Sequence, residues 1–209
     1  MFPSHDRGAI NNMGKPGCLP EIKAPVKAVL SLQKKVDLSD NAIDPTSALD
    51  STYFDGFFKA EDPLNRYYII EDIKNFTQEQ GDDNVDEADD GSKEVVSKGI
   101  VSTTVKVKNI GDPYKHQGQL ESMACHKIQV HFIDEDGNLV GEKTSADFLG
   151  GRKIAQNTLS AKVIAYSSTE TNGLEISWDY DRASSNSKVD YIAAETMTDT
   201  LLDRTPLSD

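Results

Sequence analysis

Two cysteines in 209 residues, Cys18 and Cys125, are too few for a disulfide scaffold. Neither lies in a Cys-x-x-Cys pair, and a single bridge or two free thiols in a reducing compartment are both open to them. No run of about 18 apolar residues occurs, so no membrane span is expected. The stretch from Met1 to Cys18 lacks the apolar centre of a secretory signal, which points to synthesis in a cytoplasm. Basic residues are also short: 22 against 35 acidic, for a net charge of −13. A grip on nucleic acid needs a basic face to displace counterions from phosphates, and this balance argues against one. It leaves room for a surface past which nucleic acid slides, because an acidic wall repels phosphate. With four histidines and one tryptophan, the side chains that most often carry catalysis or stack on sugars are scarce.

Apolar residues make up 37% of the chain, a modest core for this length, yet too well patterned for a disordered chain. Residues 1–25 are punctuated by Gly8, Gly14, Pro16, Gly17, Pro20 and Pro25 and read as an irregular N-terminal arm. Residues 26–185 read as a β-rich core domain, and 186–209 as a C-terminal extension. Within the core, 26–32 and Tyr67–Ile70 are expected strands. Tyr53, Phe54, Phe57 and Phe58 form an apolar cluster in turn-rich sequence, which suits a local core plug or a patch for a neighbouring subunit. An acidic run at about 79–92 reads as a long loop.

The region 93–108 carries the clearest strand pattern: Val101, Thr103, Val105 and Val107 alternate with Ser102, Thr104, Lys106 and Lys108, with Gly99 as a candidate bulge. Pro113 after Asp112 opens a helix over 113–125, with Tyr114, Gln117, Leu120, Glu121 and Ala124 on one face. Ile128, Val130 and Phe132 alternate with Gln129, His131 and Ile133. The turn at Asp134–Asn138 returns the chain through Leu139–Val140. Residues 158–166 and 174–180 are further strands, with Asn172-Gly173 predicting a tight turn between them. A short helix is expected from about Val189 to Met197. The fold class that results is mainly β, sandwich- or barrel-like, with one central helix and extended arms and loops.

The candidate sites weigh toward structure. Asp134, Asp136 and Asn138 resemble the start of a calcium loop, but Gly137 and Ser145 fall where that loop needs other residues. Cys125 and His131 share a strand face about 20 Å apart, too far to ligate one metal, and His126 points to the other face. Glu121-Ser122-Met123 lacks the nucleophile elbow of a hydrolase. Gly150-Gly151-Arg152-Lys153 reads as a flexible basic turn without phosphate-loop spacing. Trp178 with Tyr180 could offer a sugar platform if exposed, but they share a face with Ile176, which points to the core. No catalytic, cofactor-binding or metal-binding residue is expected, and no enzyme.

The order of segments resembles the tail tube (major tail) proteins of tailed bacteriophages, particularly a group from phages of Bacteroidetes hosts. The resemblance rests on Asn12-Met13-Gly14-Lys15-Pro16-Gly17-Cys18, on Asp62-Pro63-Leu64-Asn65-Arg66-Tyr67-Tyr68 followed by Ile73-Lys74-Asn75-Phe76-Thr77, on Gly91-Ser92-Lys93 through Gly99-Ile100 with Phe132 to Leu139, and on Leu174 to Tyr180. It implies a virion structural subunit, made in the host cytoplasm. Such subunits form hexameric rings that stack into a hollow tube, contact other tail proteins and let DNA pass during ejection. Inner strands close a barrel around the DNA path, and arms lock one ring to the next. The region 95–107 is the expected lumen contributor because its exposed face is polar. Competing expectations are another virion part (head decoration, neck or tail terminator) and a carbohydrate-binding module.

Overall fold

The structure is a computed structural model that describes residues 23–62, 64–87, 92–97, 99–108, 112–144, 147–164, 173–182, 184, 188–199 and 201–204. In chain order the elements are β1 (Pro25–Leu32), α1 (Ser51–Phe58), β2 (Tyr68–Ile70), β3 (Ile73–Gln80), β4 (Asn84–Glu87), β5 (Lys93–Ser97), β6 (Val101–Lys108), α2 (Pro113–Met123), β7 (Ile128–Asp134), β8 (Leu139–Lys143), β9 (Leu149–Gly150), β10 (Arg152–Lys153), β11 (Ser160–Ile164), β12 (Gly173–Asp179) and β13 (Val189–Ile192). The protein is mainly β, as the sequence predicts, and its strands pair into antiparallel sheets. Most of the expected N-terminal arm, with the Gly14, Pro16 and Cys18 of the resemblance, lies outside the described residues.

The chain divides into two compact units, each assembled from separated stretches. The first takes the described residues of Met1–Glu71, Gln129–Arg152 and Ser185–Asp209, the second those of Asp72–Ile128 and Lys153–Ser184. No local pattern announces this division, because each unit closes through pairings distant in sequence.

In the first unit the strand order is β13-β8-β7-β1-β2, with β9 on β8 and β10 on β7. Every residue of β7 is buried. The alternation of Ile128, Val130 and Phe132 with Gln129, His131 and Ile133 therefore does not separate a dry face from a wet one; both faces are covered, as in an interior strand. The core gathers Val29, Ile43, Leu49, Phe54, Phe58, Tyr67, Ile133, Leu139, Leu149, Ile192, Met197 and Leu201. Each such aliphatic side chain contributes about 1.5–3 kcal/mol by leaving water.

The aromatic cluster at Tyr53–Phe58 is a core plug in this unit, and it is helical. Asp50 caps α1 by accepting the Tyr53 N–H at 2.8 Å, and the spacing of Phe54 and Phe58 turns both into the core. Helix α1 thus stands where the sequence pointed to turn-rich chain, in addition to the helix expected over 113–125. The helix expected over Val189–Met197 is also corrected. Val189–Ile192 is strand β13, paired with β8 through Tyr191 opposite Val140, and only Ala194–Thr196 makes a 3-10 turn. Strand pairing with a distant partner overrides the local preference.

The last described residues are fastened to α1. The Arg204 guanidinium reaches Asp199 at 2.5 Å, Asp55 at 2.6 Å and the Ser51 carbonyl at 3.0 Å, and it lies 5.2 Å from the Phe58 ring centre. Lys27 Nζ donates to the Arg204 carbonyl. Arg204→Ala is expected to lower the unfolding free energy by about 2 kcal/mol, through lost charge-assisted hydrogen bonds and ring stacking. Denaturant titration checks this; a change under a few tenths of a kcal/mol would show that the clamp is idle.

The second unit holds the four-stranded sheet β11-β12-β6-β3 and the two-stranded sheet β4-β5. The alternation read in 101–108 is realised: Thr103, Val105 and Val107 are buried, and Ser102 and Lys108 are exposed. Two expectations fall. The acidic stretch at about 79–92 is not a loop throughout, because Asn84–Glu87 pairs antiparallel with Lys93–Ser97. Its described side chains are exposed, so no burial pattern marks the strand in sequence. Gly99 is not a bulge but a close approach: a Cβ there would lie 1.8 Å from the Gly81 carbonyl oxygen, where the Gly81 N–H donates to the Ile100 carbonyl at 2.9 Å. The tight turn expected at Asn172-Gly173 falls on Asn172, which lies outside the described residues; Gly173 itself pairs with Ile164. Helix α2 begins as expected, with Asp112 accepting the Lys115 N–H at 3.1 Å and Pro113 opening the first turn. Its buried residues are Pro113 and Leu120, while Tyr114 is exposed.

Candidate functional site

The residues singled out for chemistry are dispersed. Asp134 is buried and accepts from the N–H groups of Asp136 (3.0 Å) and Asn138 (2.9 Å), from Asn138 Nδ2 (2.9 Å) and from the Lys23 N–H (3.3 Å). Its oxygens are committed to holding the β7–β8 turn, where Gly137 takes φ +84°. Among the described residues no group of three His, Cys, Asp or Glu side chains could hold a metal.

Cys125 and His126 are exposed, whereas His131 is fully buried and stacks on Tyr67 with ring centres 5.5 Å apart. Burial pushes the His131 pKa down to about 4, against a smaller opposing effect of the Leu149 backbone. Ser122 Oγ donates to the Gln119 carbonyl within its own helix. The flexible turn expected at Gly150–Lys153 is instead two short strands, β9 and β10, with Arg152 buried near Glu142. A Cβ on Gly151 would meet Gln129 and the Val130 nitrogen at 2.9 Å, so the glycine serves close packing. Trp178 is 1% exposed and meets Tyr180 edge to face at 6.4 Å. It offers no platform for a sugar.

What the second unit does present is a polar sheet face. Register sets it out row by row. Ser160, Ser177, Thr104 and Thr77 stand abreast across β11, β12, β6 and β3. Beside that row run Lys162, Glu175, Lys106 and Asn75, and on its other side Asp179, Ser102 and Glu79. Strand alternation puts all of these on the side away from Val105, Ile176 and Trp178. Ser102 Oγ bonds Asp179 at 2.6 Å, and Lys106 faces Glu175 at 3.3 Å. With Lys108 added, three lysines balance three carboxylates, so the face is neutral on a chain of net charge −13.

The edges of this sheet are β11 and β3. The three pairings between them are all antiparallel, so β3 runs opposite to β11. Sequence reasoning found the β6 part of this face from its alternation. It could not find the β3 part, because Lys74–Gln80 is polar on nearly every residue. No protein-family model matches the sequence, and no curated protein matches it.

Proposed function

We propose that this chain is a structural subunit that assembles with copies of itself, and that the assembly is a virion tail tube built from stacked hexameric rings through which DNA passes. The observation that carries the reading is the four-stranded sheet of the second unit, with antiparallel edges β3 and β11 and an outer face that is polar except for Ile164 at the end of β11. A strand that ends a sheet is a template for another chain. Because β3 and β11 run in opposite directions, placing β11 of one copy beside β3 of the next continues the antiparallel pattern without reversal. Repeated by rotation, that contact is heterologous and closes a ring.

The polar face then lines the lumen. Balanced charge and hydroxyl rows give phosphate no net positive surface to hold, so passage rests on neutrality more than on the acidic repulsion expected from composition. The resemblance in segment order supports the same reading, and other tail proteins and the virion are its context. Purified protein should form rings or tubes by negative-stain microscopy, with a central channel. A charge-reversing double change on the sheet face, Glu175→Lys with Asp179→Lys, should leave rings intact and make them retain DNA at low salt. DNA retention unchanged by that variant in intact rings would remove this face from the lumen.

A further inference from the structure

The two edges of the four-stranded sheet carry opposite charges that nothing in their own copy takes up. Strand β3 bears Lys74, which meets Asp72 at 2.5 Å, and Glu79, which is exposed and has no ion-pair partner among the described residues. Strand β11 bears Lys162, exposed and likewise without an ion-pair partner among the described residues. Glu175 stands opposite both Lys162 and Lys106, but its ion pair is with Lys106, at 3.3 Å. Glu79 and Lys162 both project on the polar face, at opposite ends of the strand order. Three strand spacings, about 14 Å, lie between their strands within one copy, so the two cannot meet there.

Continuing the sheet from β3 of one copy to β11 of the next brings them together in one register. The backbone limits the choice. The Gly81 N–H donates to the Ile100 carbonyl and the Tyr180 N–H to the Val101 carbonyl, each at 2.9 Å. Alternation therefore turns the backbone groups of Gln80 on β3, and of Ala161 and Val163 on β11, toward the sheet edges. Registers that join such groups and keep the polar face continuous differ by steps of two residues. When rows run straight on, Lys162 of the next copy falls opposite Asn75. One step puts it opposite Thr77, and two steps put it opposite Glu79, with Gln80 meeting Ala161.

Barrel geometry selects the same register. A closed sheet tilts its strands by about 35–45°, and the tilt follows from the stagger per strand. Two steps displace each copy by four residues over four strands. That is one residue per strand, the ratio that gives about 36° in an eight-stranded barrel of shear eight. One step gives roughly 20°, and straight rows give no tilt. The direction agrees as well. Seen from the polar side with β3 pointing up, the chirality of L-residues bonded as Gly81 is to Ile100 puts β6 on the right, so the next copy adds on the left. Right-handed coiling of strands around a channel lined by that side raises the copy on the left, as the two-step register does. We infer that Lys162 of one copy pairs with Glu79 of the next and sets the register of the ring. The inference rests on the self-assembly reading above and specifies its contact. An exposed pair adds little affinity; its effect is to disfavour the wrong registers.

Cross-linking tests the register. Opposed residues that do not exchange backbone hydrogen bonds have Cα atoms about 4.5 Å apart, within disulfide reach. Full-length protein with Cys18 and Cys125 changed to serine receives Lys162→Cys together with Glu79→Cys, Thr77→Cys or Asn75→Cys. After mild oxidation of the assembled protein, the Glu79→Cys combination should give a ladder of covalent multimers on a denaturing gel, at least about tenfold stronger than either of the others. If cysteine substitution prevents assembly, charge exchange decides: Glu79→Lys or Lys162→Glu alone should weaken association in sedimentation velocity, and the two together should restore it. Assembled protein with no ladder, a ladder strongest from Thr77→Cys or Asn75→Cys, or single reversals that assemble like the wild type would overturn the register and leave the self-assembly reading standing. A wild-type protein that stays monomeric at every concentration would overturn both.

Discussion

Trp178→Ala should lower the unfolding free energy by about 3–5 kcal/mol, the largest single loss expected from this chain. Trp178 lies on β12 opposite Thr103 of β6, is 1% exposed and packs edge to face on Tyr180. Removing the indole withdraws the largest fully buried side chain from the inner face formed with Val105, Leu174 and Ile176. The cavity left behind adds to the lost transfer energy, because strands paired on both sides cannot collapse into it. Trp178 is the one tryptophan in the chain, so wild-type fluorescence reports the second unit directly: blue-shifted when folded, red-shifted on unfolding. The variant is followed by circular dichroism and urea titration. A loss below about 1 kcal/mol would mean that the indole is not packed as described.

Acid should destabilise the first unit through His131. The imidazole has an ordinary pKa of 6.5, and burial brings it to about 4 in the folded chain. Above pH 6.5 it is neutral in both states, and its burial carries no protonation cost. As pH falls below 6.5 the unfolded chain binds a proton that the folded chain refuses, so stability drops until about pH 4, where the folded form also titrates. At about 1.4 kcal/mol per pH unit, this interval corresponds to a loss of about 3 kcal/mol. Carboxylates such as Asp37, Asp44 and Asp55, held low by their hydrogen-bond partners, also lose their contribution on acidification. The His131→Leu variant separates the two effects. Its stability should fall less than that of the wild type between pH 6.5 and 4, by about 3 kcal/mol, and the two curves should run parallel above pH 7. Parallel curves throughout would show that His131 protonates freely in the fold.

These two positions also show what the sequence could reveal. The inner face of the second unit was legible at Val101–Val107 and Leu174–Trp178, because a strand with one dry side writes a period of two into its residues. His131 was not legible as a core residue. On β7 both faces are covered, so a polar residue between Val130 and Phe132 looked like the wet side of an alternating strand. Helix α1 was hidden by its length: eight residues give too few turns for a helical period, and its aromatic density resembles a loop cluster.

Pairings across long separations were invisible for a different reason. That β13 lies on β8, and that β3 lies on β6, depends on register with distant partners, and neither strand carries a pattern of its own. The candidate face shares that limit. Its β6 quarter was readable from Ser102, Thr104, Lys106 and Lys108, but the hydroxyl row and the charge balance emerge only when four strands are placed in register. The acidic total of the chain suggested an acidic wall; the strand-by-strand distribution gives a neutral one.

Negative-stain microscopy of the purified full-length protein over a wide concentration range, paired with sedimentation velocity, tests the self-assembly proposal most directly. Closed rings with a central channel, stacking into tubes as concentration rises, are the predicted result. A monodisperse monomer at every concentration, with no ring in any field, would contradict it.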